Sequence, residues 1–218
     1  MRGKKITGAG NLSGIKDKGM DRFPVSKSFK ERLVGCNSQD DTEFEEWLFH
    51  PAMMFGSWHK WWGDMGNRDK PHEGLDLYFY RTKKRHIHYL DRKTKVPVIF
   101  KGQVMKVDDD FLGESLFVSH DHYDNDGSQL YTIYSHIKSC GRMCLGEGLE
   151  ENDIIGTIAD TKKSVGVVPP HLHVSVVWVP KSVRSRELGW EIISSHTEVT
   201  LIDPLRVIEC PYSIVASI

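Results

Sequence analysis

The sequence contains no apolar run approaching the ~18 residues of a membrane-spanning helix, so no transmembrane segment is expected. It also lacks a dominant charge: 29 Lys and Arg against 30 Asp and Glu leave a formal net charge of −1. Modules that hold nucleic acid by bulk electrostatics carry a basic excess, and a nucleic-acid partner is not expected. Cysteine is scarce. Cys36, Cys140, Cys144 and Cys210 are too few and too irregularly spaced for a disulfide framework. Cys140 and Cys144 have no second close pair to complete a zinc clip, so free or locally paired thiols are expected. No repeat of fixed period and no βαβ rhythm is visible. Ile6-Thr7-Gly8-Ala9-Gly10-Asn11, after the basic start, lacks the apolar stretch of a secretory signal. The expectation is a soluble chain whose 218 residues suffice for one large domain.

Aromatic residues and histidine are well represented. Aromatics make up 10% of the chain and include 6 Trp, enough to build a core. The 11 His supply the commonest metal ligand and general base. Residues 1–45 are Gly-, Lys- and Ser-rich and read as a partly irregular N-terminal extension. Within Asp40 to Leu48, Thr42 and Glu45 have the spacing of a capping box, which predicts a helix start. The stretch Phe55 to Gly66 has no helical or strand period. Its Trp58, Trp61 and Trp62, set among glycines, suggest a loop that shields or lines something.

From Leu75 onward the pattern is mainly strand. Leu75–Tyr80, Val96–Val107, Ser115–Ser119, Gln129–His136 and Ile154–Ala159 are short and rich in β-branched or aromatic residues, with turn residues between them. His171–Val179 alternates. Leu172, Val174, Val176 and Trp178 face one way, towards a core, while His171, His173, Ser175 and Val177 face a groove or solvent. The expected fold class is mainly antiparallel β with a few short helices.

Three His-x-His pairs occur: His86/His88, His120/His122 and His171/His173. Alternate residues of a strand project to one side, roughly 7 Å apart. His86 and His88 follow the basic run Arg81 to Arg85, whose repulsion a cation site would have to overcome, and they read as a solvated hairpin edge. His120-Asp121-His122-Tyr123-Asp124 follows an apolar strand and resembles the first metal motif of metallo-β-lactamase-fold hydrolases. Asn125 stands where that motif continues with another His, and an acidic turn is the simpler reading. His171 and His173 open the cleanest strand. Far upstream, His72 and Asp76 would lie about 13 Å apart on a straight strand, too far to share an ion, but Gly74 permits a bend between them. Two imidazoles and one carboxylate with a fourth position open form the ligand set of catalytic zinc.

His72-x-Gly74-x-Asp76 and His171-x-His173 resemble the two signatures of lysostaphin-like (LytM-type) zinc metallopeptidases, which are peptidoglycan endopeptidases of the duplicated hybrid motif fold. The resemblance runs in order from Phe55-Gly56, through Pro97-Val98, Gly102-Gln103-Val104, Leu130 to Ile137 and Asn152 to Gly156, to Asp203-Pro204-Leu205. It implies a zinc metallopeptidase-like catalytic domain over residues 46–210, followed by a C-terminal tail over 211–218. It implies that His72, Asp76 and His173 hold Zn2+, and that His136 and His171 are catalytic imidazoles outside the ligand set. His136 shares its strand face with Leu130, Thr132 and Tyr134 and is expected to point into the groove from there.

The chain departs from the family pattern around these positions. Asp160 to Pro169 is richer in Val and Lys than the usual approach to the second signature, Val174-Ser175 replaces a frequent Phe-Glu, and Arg81 to Tyr89 reads as an insertion. The activity implied is hydrolysis of a peptide bond in peptidoglycan, at the cell envelope or outside the cell. One histidine would take a proton from water and the other would stabilise the oxyanion. There is no His-Glu-x-x-His motif, which excludes a thermolysin-like site. The alternatives are a hydrolase built on His120, His122 and Asp124, and a non-catalytic wall-binding or regulatory module of the same fold.

Overall fold

In a computed structural model of the chain, residues 23–37, 44–141, 143–161, 168–195 and 197–216 are described. Among them the strands are β1 (Phe44–Phe49), β2 (Leu75–Leu77), β3 (Phe79–Thr82), β4 (Ile87–Tyr89), β5 (Lys95–Pro97), β6 (Gly102–Asp109) and β7 (Glu114–Tyr123). They continue with β8 (Gln129–Ser139), β9 (Gly148–Leu149), β10 (Ile154–Ile158), β11 (Leu172–Val179), β12 (Thr200–Ile202) and β13 (Tyr212–Ile214). Two short helices, α1 (Phe29–Gly35) and α2 (Trp190–Ser195), flank them. The larger sheet runs β12-β11-β8-β7-β6-β9, with β2 paired to β11 and β10 joining β8 to β5. A smaller sheet has the order β13-β1-β3-β4. All pairings are antiparallel except that of β1 with β13. The fold is mainly antiparallel β, as the sequence pattern led one to expect.

The alternation along β11 sorts two cores. Leu172, Val174, Val176 and Trp178 join the main core with Trp47, Phe49, Leu75, Leu77 and Tyr134. The opposite face does not open to solvent below the histidines. Val177 and Val179 pack with Phe117, Tyr131 and Ile133 of the neighbouring strands, under Val183, Leu188 and Ile193 from the segment that carries α2. That face is therefore buried along its whole length, and the expected groove is confined to its His171 end. Burying each such large apolar side chain contributes about 1.5–3 kcal/mol.

The helix expected from Asp40 to Leu48 does not form where the chain is described: Phe44–Phe49 is β1, and Thr42 lies outside the described residues. Glu45 is thus a strand residue. β1 pairs on both edges, with β3 and β13, and buries Trp47, Leu48 and Phe49 completely or nearly so. Trp47 packs edge-on to Tyr80. These tertiary contacts outweigh a local capping signal. The segment read as an extension contributes α1, whose Phe29 and Leu33 are in the main core. The segment read as a tail contributes β13. The basic stretch Arg81 to Tyr89 forms the β3–β4 hairpin with exposed His86 and Ile87 on a sheet edge.

Candidate metal centre

β2 and β11 place the first two groups. They pair antiparallel with His173 directly opposite Asp76, so both side chains leave the sheet on one face. The turn into β2 brings His72 to the same point, and Gly74 makes that turn possible by close approach. A Cβ at Gly74 would lie 2.3 Å from the Val174 carbonyl oxygen and 2.7 Å from His173 Nε2. Residues 54–57 pin the incoming chain. The His72 amide donates to the Ser57 carbonyl, the Gly56 amide donates to the His72 carbonyl, and His72 Nδ1–H donates to the Met54 carbonyl at 3.0 Å.

The result is a triangle of potential donor atoms. His72 Nε2 lies 3.1 Å from Asp76 Oδ1 and 3.1 Å from His173 Nδ1, and His173 Nδ1 lies 2.9 Å from Asp76 Oδ1. All three residues are buried. The back of each imidazole is occupied: His72 Nδ1 by the Met54 carbonyl, His173 Nε2 by Ser175 Oγ at 2.9 Å. In the tautomers that place those protons outward, Nε2 of His72 and Nδ1 of His173 turn lone pairs towards a carboxylate oxygen. Three converging acceptors repel one another unless a cation or proton lies between them. Tetrahedral zinc with ligands at about 2.0–2.1 Å sets its ligand atoms about 3.3 Å apart, so the residues fit that ion, and their outer partners are of the kind that orient ligating histidines. Burial alone would raise the Asp76 carboxyl, but His72, His171 and His173 around it hold it well below the usual carboxylate range. Burial lowers His173, which keeps a neutral, ligand-competent ring.

The other Asp76 oxygen faces away from the triangle. Trp61 Nε1–H donates to Oδ2 at 2.6 Å, and the Arg68 guanidinium lies 3.5 Å from it. Arg68 is itself fixed by the carbonyls of His59 and Ala52. The Trp-rich loop thus lines the centre through Trp61, whose ring also meets His171 edge-on at 5.2 Å. Trp58, by contrast, is exposed.

His171 and His136 complete the cluster from outside the triangle. His171 Nδ1–H donates to the Pro169 carbonyl at 2.8 Å, leaving Nε2 3.6 Å from Asp76 Oδ1. Burial, partly offset by Asp76, pushes His171 down to about 4. The ring centroids of His136 and His171 are 5.0 Å apart. His136 reaches this face by a route the alternation does not predict. Leu130 and Tyr134 belong to the main core, on the face away from the histidines, and unbroken alternation would bury His136 with them. Instead His136 has φ 62, the β7–β8 register shifts between Glu114 and Leu116, and Ile137 takes the core position. The bulge turns the imidazole over to the His171 side.

Asp110, in the β6–β7 turn, holds that strained residue in place. Its carboxylate accepts the His136 amide at 2.9 Å and His136 Nδ1–H at 3.1 Å, together with Ser115 Oγ and the amides of Leu112 and Gly113. Burial would raise the Asp110 carboxyl, but the His136 hydrogen bonds, helped by the turn amides, hold it far below the usual range. Asp110 and Arg68 escaped the sequence reading as site residues, and the sequence marks Trp61 only as part of a loop that shields or lines something. Asp110 closes the run Asp108-Asp109-Asp110, whose composition is that of an ordinary turn, and nothing local marks Trp61 or Arg68 as partners of Asp76.

The five residues implied by the resemblance, His72, Asp76, His136, His171 and His173, therefore line one cavity of about 320 Å³. The rival sites do not assemble. Both ring nitrogens of His120 are taken, by the Lys101 carbonyl and Thr132 Oγ1, each at 2.8 Å. His122 is exposed, and among the described residues the one His/Cys/Asp/Glu group spaced for a metal ion is His72, Asp76 and His173. Cys140 and Cys144 are exposed.

No family model matches the chain, and no curated protein matches it. Among solved structures, CbpA from L. salivarius REN is similar at 19% identity, over 76% of this chain and 93% of that one, with a TM-score of 0.44. A catalytic-domain mutant of the prophage-encoded M23 protein EnpA from Enterococcus faecalis is similar at 18% identity, over 64% and 83%, with a TM-score of 0.35. Lysostaphin is similar at 17% identity, over 67% of this chain and 56% of that one, with a TM-score of 0.38. The motifs of the chain resemble those of lysostaphin-like peptidases, and lysostaphin is among the solved structures to which it is similar.

Proposed function

We propose that the chain is a zinc-dependent endopeptidase that hydrolyses peptide bonds, with the stem or cross-bridge peptides of peptidoglycan as its substrate and the cell envelope or extracellular space as its place of action. The observation that carries this reading is the convergence of three acceptor atoms from His72, Asp76 and His173 within 3.1 Å, beside two further imidazoles in one cavity. His72, Asp76 and His173 would hold the ion; when bound, zinc supplies a Lewis acid for the scissile carbonyl and lowers the pKa of water to about 7.

The remaining residues divide the proton chemistry. His171 keeps its proton on Nδ1 for the Pro169 carbonyl, so the neutral ring presents a lone pair at Nε2. That nitrogen accepts the hydrogen bond of the attacking water and takes its proton as the water adds to the scissile carbonyl. His136 has the Asp110 carboxylate behind Nδ1, which fixes the orientation of the ring. It presents Nε2 to the cavity, from where a proton on that nitrogen would be donated to the developing oxyanion and then passed to the leaving amine. Trp61 and Trp190 close the sides of the histidine cluster, at 5.2 Å from His171 and 5.7 Å from His173. Excluding water there strengthens each of these hydrogen bonds.

The test is cleavage of purified peptidoglycan and of Gly-rich peptides by the zinc-loaded chain, beside His136→Ala and His171→Ala. Each substitution is expected to lower kcat by about 10²–10⁴-fold while zinc stays bound. Zinc bound at one equivalent with no cleavage of any wall type would instead favour a non-catalytic module.

A further inference from the structure

We propose that Glu73 and Ser194, with Trp190 one helical turn away, form a subsite for an ammonium group on the bound peptide. The inference rests on the endopeptidase reading above and adds the chemistry of its substrate. Trp190 and Ser194 are four residues apart on α2, hence on one helix face, and both line the cavity that holds the histidines. Ser194 Oγ–H donates to Glu73 Oε1 at 2.6 Å, which fixes the carboxylate against the helix. The two other carboxylates on the cavity wall are committed: Asp76 to His72, His173, Trp61 and Arg68, Asp110 to His136, Ser115 and two turn amides. Glu73 has no such set.

The sole Lys or Arg among the lining residues is Arg68, and it faces Asp76. Among the described residues, no Lys or Arg of the wall therefore pairs with Glu73. A half-buried carboxylate held by a hydroxyl, in a cavity walled by Trp62, Phe111 and Trp190, suits a cation. Its free lone pairs accept charge-assisted hydrogen bonds, and indole and phenyl faces attract positive charge. The matching substrate feature is a primary ammonium, on a diamino-acid side chain or at a free N-terminus. The same peptide with that amine acylated would leave the carboxylate without a partner.

The experiment uses the full zinc-loaded chain and acetyl-pentaglycine-amide carrying one lysine at each position in turn, against the same set carrying Nε-acetyllysine. Cleavage is followed as kcat/KM, and Kd is measured by calorimetry in the His136→Ala variant, which keeps Glu73. At one position or more, the lysine peptide is expected to exceed its acetylated twin by roughly 10- to 100-fold in both quantities, the range of a hydrogen bond to a charged group. Glu73→Gln should bring the ratio close to unity, and Ser194→Ala should reduce it. Equal values for the twins at every position, or a preference that survives Glu73→Gln, would overturn the subsite. A lysine preference in Kd without cleavage would support the subsite and count against the endopeptidase reading. Neither binding nor cleavage of any peptide would overturn both.

Discussion

The Asp76 carboxylate divides its oxygens between two tasks. Oδ1 faces the imidazoles of His72 and His173, while Oδ2 is held by the Trp61 indole and the Arg68 guanidinium. Fixing Oδ2 aims Oδ1, and loss of such an outer partner typically costs 10–100-fold in metal affinity. Trp61→Phe keeps most of the ring and removes the donor. Its zinc Kd, from competition with a chelator, is therefore expected to rise by about that range, and an unchanged Kd would show that Asp76 needs no such support. Asp110 holds His136 instead of the three proposed ligands. Asp110→Asn is expected to lower kcat by about 100-fold or more with zinc still bound, since it loosens the hydrogen bonds that orient the His136 imidazole. Equal loss of zinc and activity would place Asp110 in the metal site after all. Neither residue announces itself in the sequence, because Asp110 and His136 are 26 apart and Trp61 and Asp76 are 15 apart.

At the level of elements, the centre depends on how closely β2 lies on β11. Gly74→Ala would drive a methyl group into the Val174 carbonyl and His173. It should separate the two strands, lower stability by about 1–3 kcal/mol in urea melts and weaken zinc binding. A variant as stable and as zinc-avid as wild type would contradict the packing described here. The elements differ in how readable they were. β11 could be recognised because its core side alternates without interruption, and β6, β7, β8 and β10 because they are β-branched and bounded by turns. Three features were hidden: the bulge at His136, since Tyr134-Ser135-His136-Ile137 carries no Gly to signal positive φ; the strand nature of β1, since its pairing with β13 comes from the far end of the chain; and the burial of the Val177 face, since its cover comes from the segment around α2.

For the whole molecule, buried imidazoles make stability depend on pH. His120, away from the proposed metal centre, is pushed down to about 4, chiefly by burial, against roughly 6.5 in an unfolded chain. Between these values the unfolded state binds the extra proton and the native state does not. The stability tied to the neutral ring is thus complete above pH 6.5 and is lost as pH falls from 6.5 towards 4. Between pH 8 and pH 5 this loss is about 2 kcal/mol. His120→Gln, which does not titrate, should show a pH dependence flatter by that amount in urea unfolding, and parallel curves would contradict the assignment. The broad reading, a mainly antiparallel β protein with His72, Asp76, His136, His171 and His173 in one place, was available from spacing and resemblance, whereas the supports of those residues arise only when the chain folds. The most direct test of the account is metal content with location: an anomalous-scattering crystal structure of the zinc-loaded chain, alongside zinc stoichiometry for His72→Ala, Asp76→Ala and His173→Ala. The account predicts one zinc per chain, bound through His72, Asp76 and His173 and lost in each variant; zinc placed elsewhere, or retained when any of the three is removed, would contradict it.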